Sequence, residues 1–132
     1  MAGLAQRPGR IKELVPYLQG GTVQSIETWI REHYMYRPEH EEILRSPDFM
    51  MADLSRLGYI EGDCDDISIF VAALFRVLGC PVHFVAIRVK SDDTEFSHVF
   101  TEIWTGNGWY ALDPTVKPGT RYRYAERMIE HV

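Results

Sequence analysis

Residues 58–70 read GYIEGDCDDISIF and set one thiol, Cys64, among three aspartates at the head of an apolar run. Further along the chain stand His98, in SHVFTEIW, and Asp113, at the end of WYALD. Cysteine, histidine and aspartate are the three groups that thiol-based acyl transfer needs. One attacks the carbonyl, one carries the proton, and one orients the proton carrier. A cysteine at a helix start also gains partial positive charge and free amide N–H groups, which favour thiolate and can hold an oxyanion. The aspartates oppose a thiolate and so need another task. Asp63 fits an N-cap, and Asp65 and Asp66 fall in the first helical turn, where a carboxylate contributes about 0.3–1 kcal/mol through the helix dipole. Both are expected to turn away from the thiol, one of them anchoring the preceding loop through backbone N–H bonds.

Other chemistries compete for these residues. Cys64, Cys80, His83 and His98 are all zinc-type ligands, but their spacing is not that of a finger or ribbon, and His83 has no evident partner. With Asp63 as position 1 of a calcium loop, position 6 is Ser68 rather than glycine and position 12 is Leu74 rather than glutamate. No metal or other cofactor is therefore expected. Cys80, between Gly79 and Pro81, reads as a core thiol, whereas the polar surroundings of Cys64 argue against a purely structural role. Glu102 shares a strand face with His98 and fits either site support or a rim charge. Asp63, Asp65, Glu102 and Trp29 are the candidates for a supporting or substrate-binding role, Trp29 through its indole N–H.

The elements that must position these groups follow from periodicity. Residues 1–21 are too rich in glycine and proline for a long element and read as an N-terminal arm; residues 22–132 read as a single domain. Val23, Ile26, Trp29, Ile30 and Tyr34 predict an amphipathic helix ending before Pro38, and a shorter helix is expected over 39–45. Ser46 and Pro47 open another helix that Gly58 stops. Ile67, Phe70, Val71, Leu74, Val77 and Leu78 give a central buried helix that ends at LGCP. Residues 82–90 and 96–104 read as strands joined by the solvated turn 91–95, and TGNG leads into a third strand, WYALD. Helices first and an antiparallel sheet afterwards make an α+β fold, with the central helix packed on the sheet and delivering Cys64 toward His98. If the hairpin loop is the four residues 105–108, Trp104 pairs with Trp109 and His98 and Asp113 lie diagonally on one face; a two-residue loop sets them directly opposite on one face as well, and only a three-residue loop without a bulge separates them. The tail RYRYAERMIEHV, residues 121–132, has the pattern of a short amphipathic helix with Tyr122, Ala125, Met128 and Ile129 on one side.

The ordered set of motifs resembles the transglutaminase-like branch of the papain-like cysteine proteinases. Gly62 and Cys64, then Leu78, Gly79 and Pro81, then His98 and Glu102, then Trp109, Asp113, Pro114 and Thr115 fill the places of that family's pattern over residues 58–116. The resemblance implies a papain-like cysteine proteinase fold with Cys64 as nucleophile, His98 as base and Asp113 as its orienting acid. The doubled aspartate after the cysteine resembles short bacterial and phage-encoded members. The implied activity is a cysteine peptidase or amidase working through an acyl-enzyme on a peptide, protein or other amide. Transfer of the acyl group to an amine, or a non-catalytic binding or assembly module on the same fold, are the alternatives.

Composition sets the outer bounds. At 132 residues with 45% hydrophobic content the chain can build a single core, and 14 basic against 19 acidic residues, a net charge of -5, give no footprint for nucleic acid. No apolar run approaches the roughly 20 residues that span a bilayer, and the first residues lack the apolar stretch of a signal peptide, so a soluble, cytoplasmic protein without a membrane partner is expected. Two cysteines are too few for a disulfide scaffold.

Overall fold

The computed structural model describes residues 1–38, 44–88 and 97–132. The N-terminal arm is a series of short helical pieces: α1 (Ala2–Ala5), a 3-10 turn (Gly9–Leu14) and α2 (Val15–Leu18). It is not loose, because Ala5, Ile11, Leu14 and Leu18 are buried in the main core. Thr22 then caps α3 (Val23–Glu32), its side chain accepting the Ser25 N–H. Ser46 does the same for α4 (Pro47–Leu57), which Gly58 ends in the left-handed conformation. Most of the helix expected over 39–45 and the turn expected over 91–95 lie outside the described residues; Leu44 and Arg45 are described and are not helical.

Between the helices lie two three-residue strands that periodicity did not reveal, β1 (Tyr34–Tyr36) and β2 (Ile60–Gly62), paired in parallel. Their length explains the omission, since three residues carry too little alternation to read. β2 leads directly into α5 (Cys64–Val77), in which every residue from Asp66 to Phe75 is buried. The chain continues as β3 (Val82–Arg88), β4 (His98–Trp104), β5 (Trp109–Leu112) and β6 (Glu126–His131), in an antiparallel sheet of order β5-β4-β3-β6. The architecture is the expected α+β arrangement, a buried central helix against an antiparallel sheet.

Two details depart from the expectation. The tail forms β6 rather than a helix, pairing with β3 from His83–His131 to Arg88–Glu126. Without it β3 would present a bare edge of unpaired backbone groups, and satisfying that ladder outweighs the weak helical pattern of an exposed segment. The second concerns which face of the sheet the helix covers. α5 packs on Val99, Thr101 and Ile103: Ser68 Oγ donates to the Val99 carbonyl at 3.3 Å, and Thr101 Oγ1 donates to the Ser68 carbonyl at 2.9 Å. His98, Phe100 and Glu102 have the opposite parity, and Phe100 joins Val85, Ile87 and Tyr122 in a second, smaller cluster. His98 meets Cys64 only because it is the first residue of β4, at the end of the sheet beside the first turn of α5. Among the described residues no helix is long and apolar enough to cross a membrane.

Candidate active site

The turn that presents Cys64 is fixed from several sides. Asp63 caps α5, one carboxylate oxygen accepting the N–H of Asp65 at 3.1 Å and of Asp66 at 3.3 Å. Asp66 answers by accepting the Asp63 N–H at 3.2 Å, which closes a reciprocal capping box. Its other oxygen takes the Arg45 N–H at 3.1 Å, while the Arg45 guanidinium donates to the Glu61 carbonyl at 3.0 Å. The Gly62 carbonyl accepts both the Arg37 N–H at 2.9 Å and the Tyr34 hydroxyl at 2.7 Å. Glycine is required at position 62, because a Cβ there would lie 2.7 Å from the Cβ of Asp66.

Asp66 is thus the fully buried anchor of the loop that the sequence led one to expect. Asp66→Asn puts an amide group against one of the N–H donors, and is expected to destabilise the fold by about 2 kcal/mol in urea unfolding while the reactivity of Cys64 changes little. Asp65 borders the same groove as Cys64, whereas Asp66, at the third helical position, is the one that reaches back to the cap.

That groove holds about 290 Å³ and is bordered by Cys64, Asp65, Ser97 and His98 over a floor of Phe84, Ala86, Val99 and Met128. Cys64 is half-buried and not in a disulfide, as is Cys80. The hairpin has the register inferred from a four-residue loop, Trp104 opposite Trp109 and Thr101 opposite Leu112, so Asp113 follows β5 diagonally from His98. His98 Nε2–H donates to Asp113 Oδ2 at 2.6 Å. An ionised carboxylate only accepts, which assigns the proton to Nε2 and leaves Nδ1 for the side of the thiol.

The electrostatics follow from this geometry. Burial alone would lower the pKa of His98, but hydrogen bonding to Asp113 and to Cys64 outweighs it and raises the imidazole to about 9. Burial pushes the Asp113 carboxyl up, yet the bonds from His98, Tyr122 and Thr115 prevail and hold it below its ordinary value. Both directions favour an imidazolium held against a carboxylate at neutral pH.

Of the supporting candidates, Asp63 is the cap and Asp65 lines the groove, but the other two stand apart. Glu102 is buried and accepts His83 Nε2–H at 2.7 Å and an Arg127 N–H at 2.6 Å; among the described contacts it touches none of Cys64, His98 and Asp113. That contact also supplies the partner His83 lacked in the sequence. Trp29 stacks on His33 with ring centroids 4.4 Å apart and does not border the groove.

Three residues around Asp113 were not legible as functional. Arg31 of α3 donates to the Asp113 carbonyl at 3.1 Å and to the Val116 carbonyl at 2.5 Å, tying the end of β5 to the helical layer. Tyr34 lies close enough that burial, and then the charge of Asp113, lift its phenol above the ordinary range. Tyr122 donates its hydroxyl to Asp113 Oδ2. Only Thr115, two residues after an aspartate, had a local signal, the Asx-type turn in which side chain meets backbone. Its N–H and hydroxyl reach Asp113 Oδ1 at 3.0 and 2.7 Å.

A family model for the transglutaminase-like superfamily matches residues 10–114. Among solved structures the chain is similar to a candidate cysteine protease from Cytophaga hutchinsonii, with 21% identity and a TM-score of 0.56, covering 80% of this chain and 37% of that one. It is also similar to calcium-bound LapG from Legionella pneumophila, with 16% identity and a TM-score of 0.55, covering 94% of this chain and 74% of that one. The chain thus spans little more than a third of the Cytophaga protein. At these identities the likeness is one of fold. No curated protein matches the chain in a sequence search.

Proposed function

The chain belongs to the transglutaminase-like superfamily, and from that membership we propose that it is a thiol hydrolase that cleaves a peptide or other amide bond through Cys64, His98 and Asp113. The observation that carries the reading is the 2.6 Å bond from His98 to Asp113 at the end of a groove that the Cys64 thiol also borders.

In this reading the Cys64 thiolate adds to the substrate carbonyl, whose oxygen takes the negative charge. Asp63 caps the amides of Asp65 and Asp66, and the Cys64 N–H is not among the groups it occupies, so that amide is the first oxyanion donor. The tetrahedral intermediate collapses as the His98 imidazolium gives its Nδ1 proton to the leaving amine, which leaves a thioester on Cys64. Neutral His98 then takes a proton from water, and the resulting hydroxide attacks the thioester. The carboxylic acid leaves as Cys64 departs as thiolate, which restores the thiolate–imidazolium pair. Asp113 remains ionised throughout and holds the ring in the tautomer the cycle needs.

Limiting iodoacetamide tests the nucleophile without a known substrate. At pH 7 Cys64 is expected to react at least about tenfold faster than Cys80, whose thiol is held protonated by burial, and His98→Ala is expected to abolish the difference. Equal, slow labelling of the two cysteines would remove the nucleophile from the proposal.

A further inference from the structure

The Asp113 carboxylate is filled on every side. Oδ1 accepts the N–H and the hydroxyl of Thr115, and Oδ2 accepts His98 Nε2–H together with the hydroxyl of Tyr122. That occupies the four or so lone-pair directions of a carboxylate. Tyr122 does not reach this position by chance of a free side chain. Its ring stacks on Phe100 with centroids 4.6 Å apart and planes 12° from parallel, and its centroid lies 5.5 Å from that of His98. It belongs to the irregular segment between β5 and β6, beyond the residues matched by the family model.

We propose that Tyr122 is a positioning residue of the catalytic pair: by sharing Asp113 Oδ2 with His98, its hydroxyl fixes the carboxylate plane and moderates the hold of the carboxylate on the imidazolium. The inference rests on the triad reading above. An oxygen that accepts two donors attracts each less strongly than an oxygen that accepts one. His98 must be an imidazolium when the thiolate forms and must then surrender its proton to the leaving amine. With Asp113 acting on it alone, the first requirement is over-satisfied and the second becomes harder. Burial, and then the bond to Asp113, keep the Tyr122 phenol protonated well beyond neutral pH, so it remains a donor through the cycle.

The other charged and titratable groups facing this cluster come from separate elements. Cys64 faces it from α5, Tyr34 from β1 and Arg31 from α3. Lys117 and Arg121 border a cavity of about 470 Å³ that Asp113 and Tyr122 also line. Tyr122→Phe keeps the ring on Phe100 and leaves all of these in place, so a difference from the parent protein reports on the hydroxyl.

The experiment compares the two proteins by NMR titration of the His98 imidazole, identified among the five histidines by its loss in His98→Gln. In Tyr122→Phe the His98 titration is expected to move up by about half a pH unit or more. An unchanged or lowered His98 titration in a folded Tyr122→Phe protein would overturn the proposal, since a merely structural tyrosine has no reason to raise it. Should that variant not fold, 3-fluorotyrosine introduced at position 122 supplies a stronger donor. A downward shift is then expected, and no shift or an upward one overturns the idea. Slow, equal alkylation of Cys64 and Cys80 in the parent protein would instead defeat the triad reading, an outcome distinct from the NMR result.

Discussion

Cys64→Ala is expected to lower amide hydrolysis by a factor of about 10⁴ or more and to change stability by no more than about 1 kcal/mol. The two magnitudes separate because the thiol is the nucleophile of the proposed reaction and has few duties in the fold. It sits half-buried at the groove, while the turn around it is held by Asp63, Asp66, Arg45 and Gly62. Acyl transfer without a nucleophile leaves only the oxyanion donor and substrate binding, which cannot form the thioester. The measurement is turnover of a peptide library by the parent and the variant, with urea unfolding of both. Equal turnover would leave the fold as a binding or assembly module, the reading for which a thiol is dispensable.

Asp113→Asn has the second large effect, and it is visible in both activity and pH dependence. An asparagine can present an amide N–H to His98 Nε2, which reverses the tautomer and turns a donor toward the thiol; a loss of about 10²–10⁴-fold in turnover is expected. Stability changes with a definite sign. The folded His98 is raised from 6.5 to about 9, so its contribution is fully present below about pH 6.5 and is lost as pH rises through about 9. The size of that contribution is on the order of 3 kcal/mol, the ring being mostly buried. The Asp113 carboxyl is shifted the other way, so its own contribution is present above its ordinary value and disappears in acid. Urea unfolding at pH 6, 7.5 and 9.5 is therefore expected to show stability falling across this range in the parent. In Asp113→Asn the fall is expected to be largely absent, from a lower starting value. An unchanged slope in the variant would mean that the carboxylate does not hold the imidazolium.

The local grammar of the chain carried much of the site. Ser46, Pro47 and Gly58 delimit α4, and Asp63 with Asp66 delimits the start of α5, because caps and stops act over three or four residues and depend on nothing distant. The four-residue hairpin loop set the parity of β4 against β5, and parity alone brings Asp113 to His98. The helical period marked α5 as central and largely buried, and burial of so apolar a helix demands a sheet to cover it.

The tertiary structure decided what periodicity leaves open. A helix pattern says that α5 is buried, not which face of the sheet buries it, so the meeting of Cys64 and His98 at the sheet's end, rather than across the packed face, could not be read in advance. Asp65 and Asp66 are chemically identical neighbours, and only the reach back to the cap separates the anchor from the groove wall. Glu102 was drawn to the site by its strand face, whereas His83 and Arg127, 19 and 25 residues away in sequence, hold it elsewhere. The tail became a strand because β3 needed an edge partner, and that pairing positions the end of the segment that carries Tyr122. Caps, periods and short loops are local energies and are written in adjacent residues. The choice of face, edge and distant hydrogen-bond partner is settled only when desolvation and backbone pairing are satisfied for the whole chain at once.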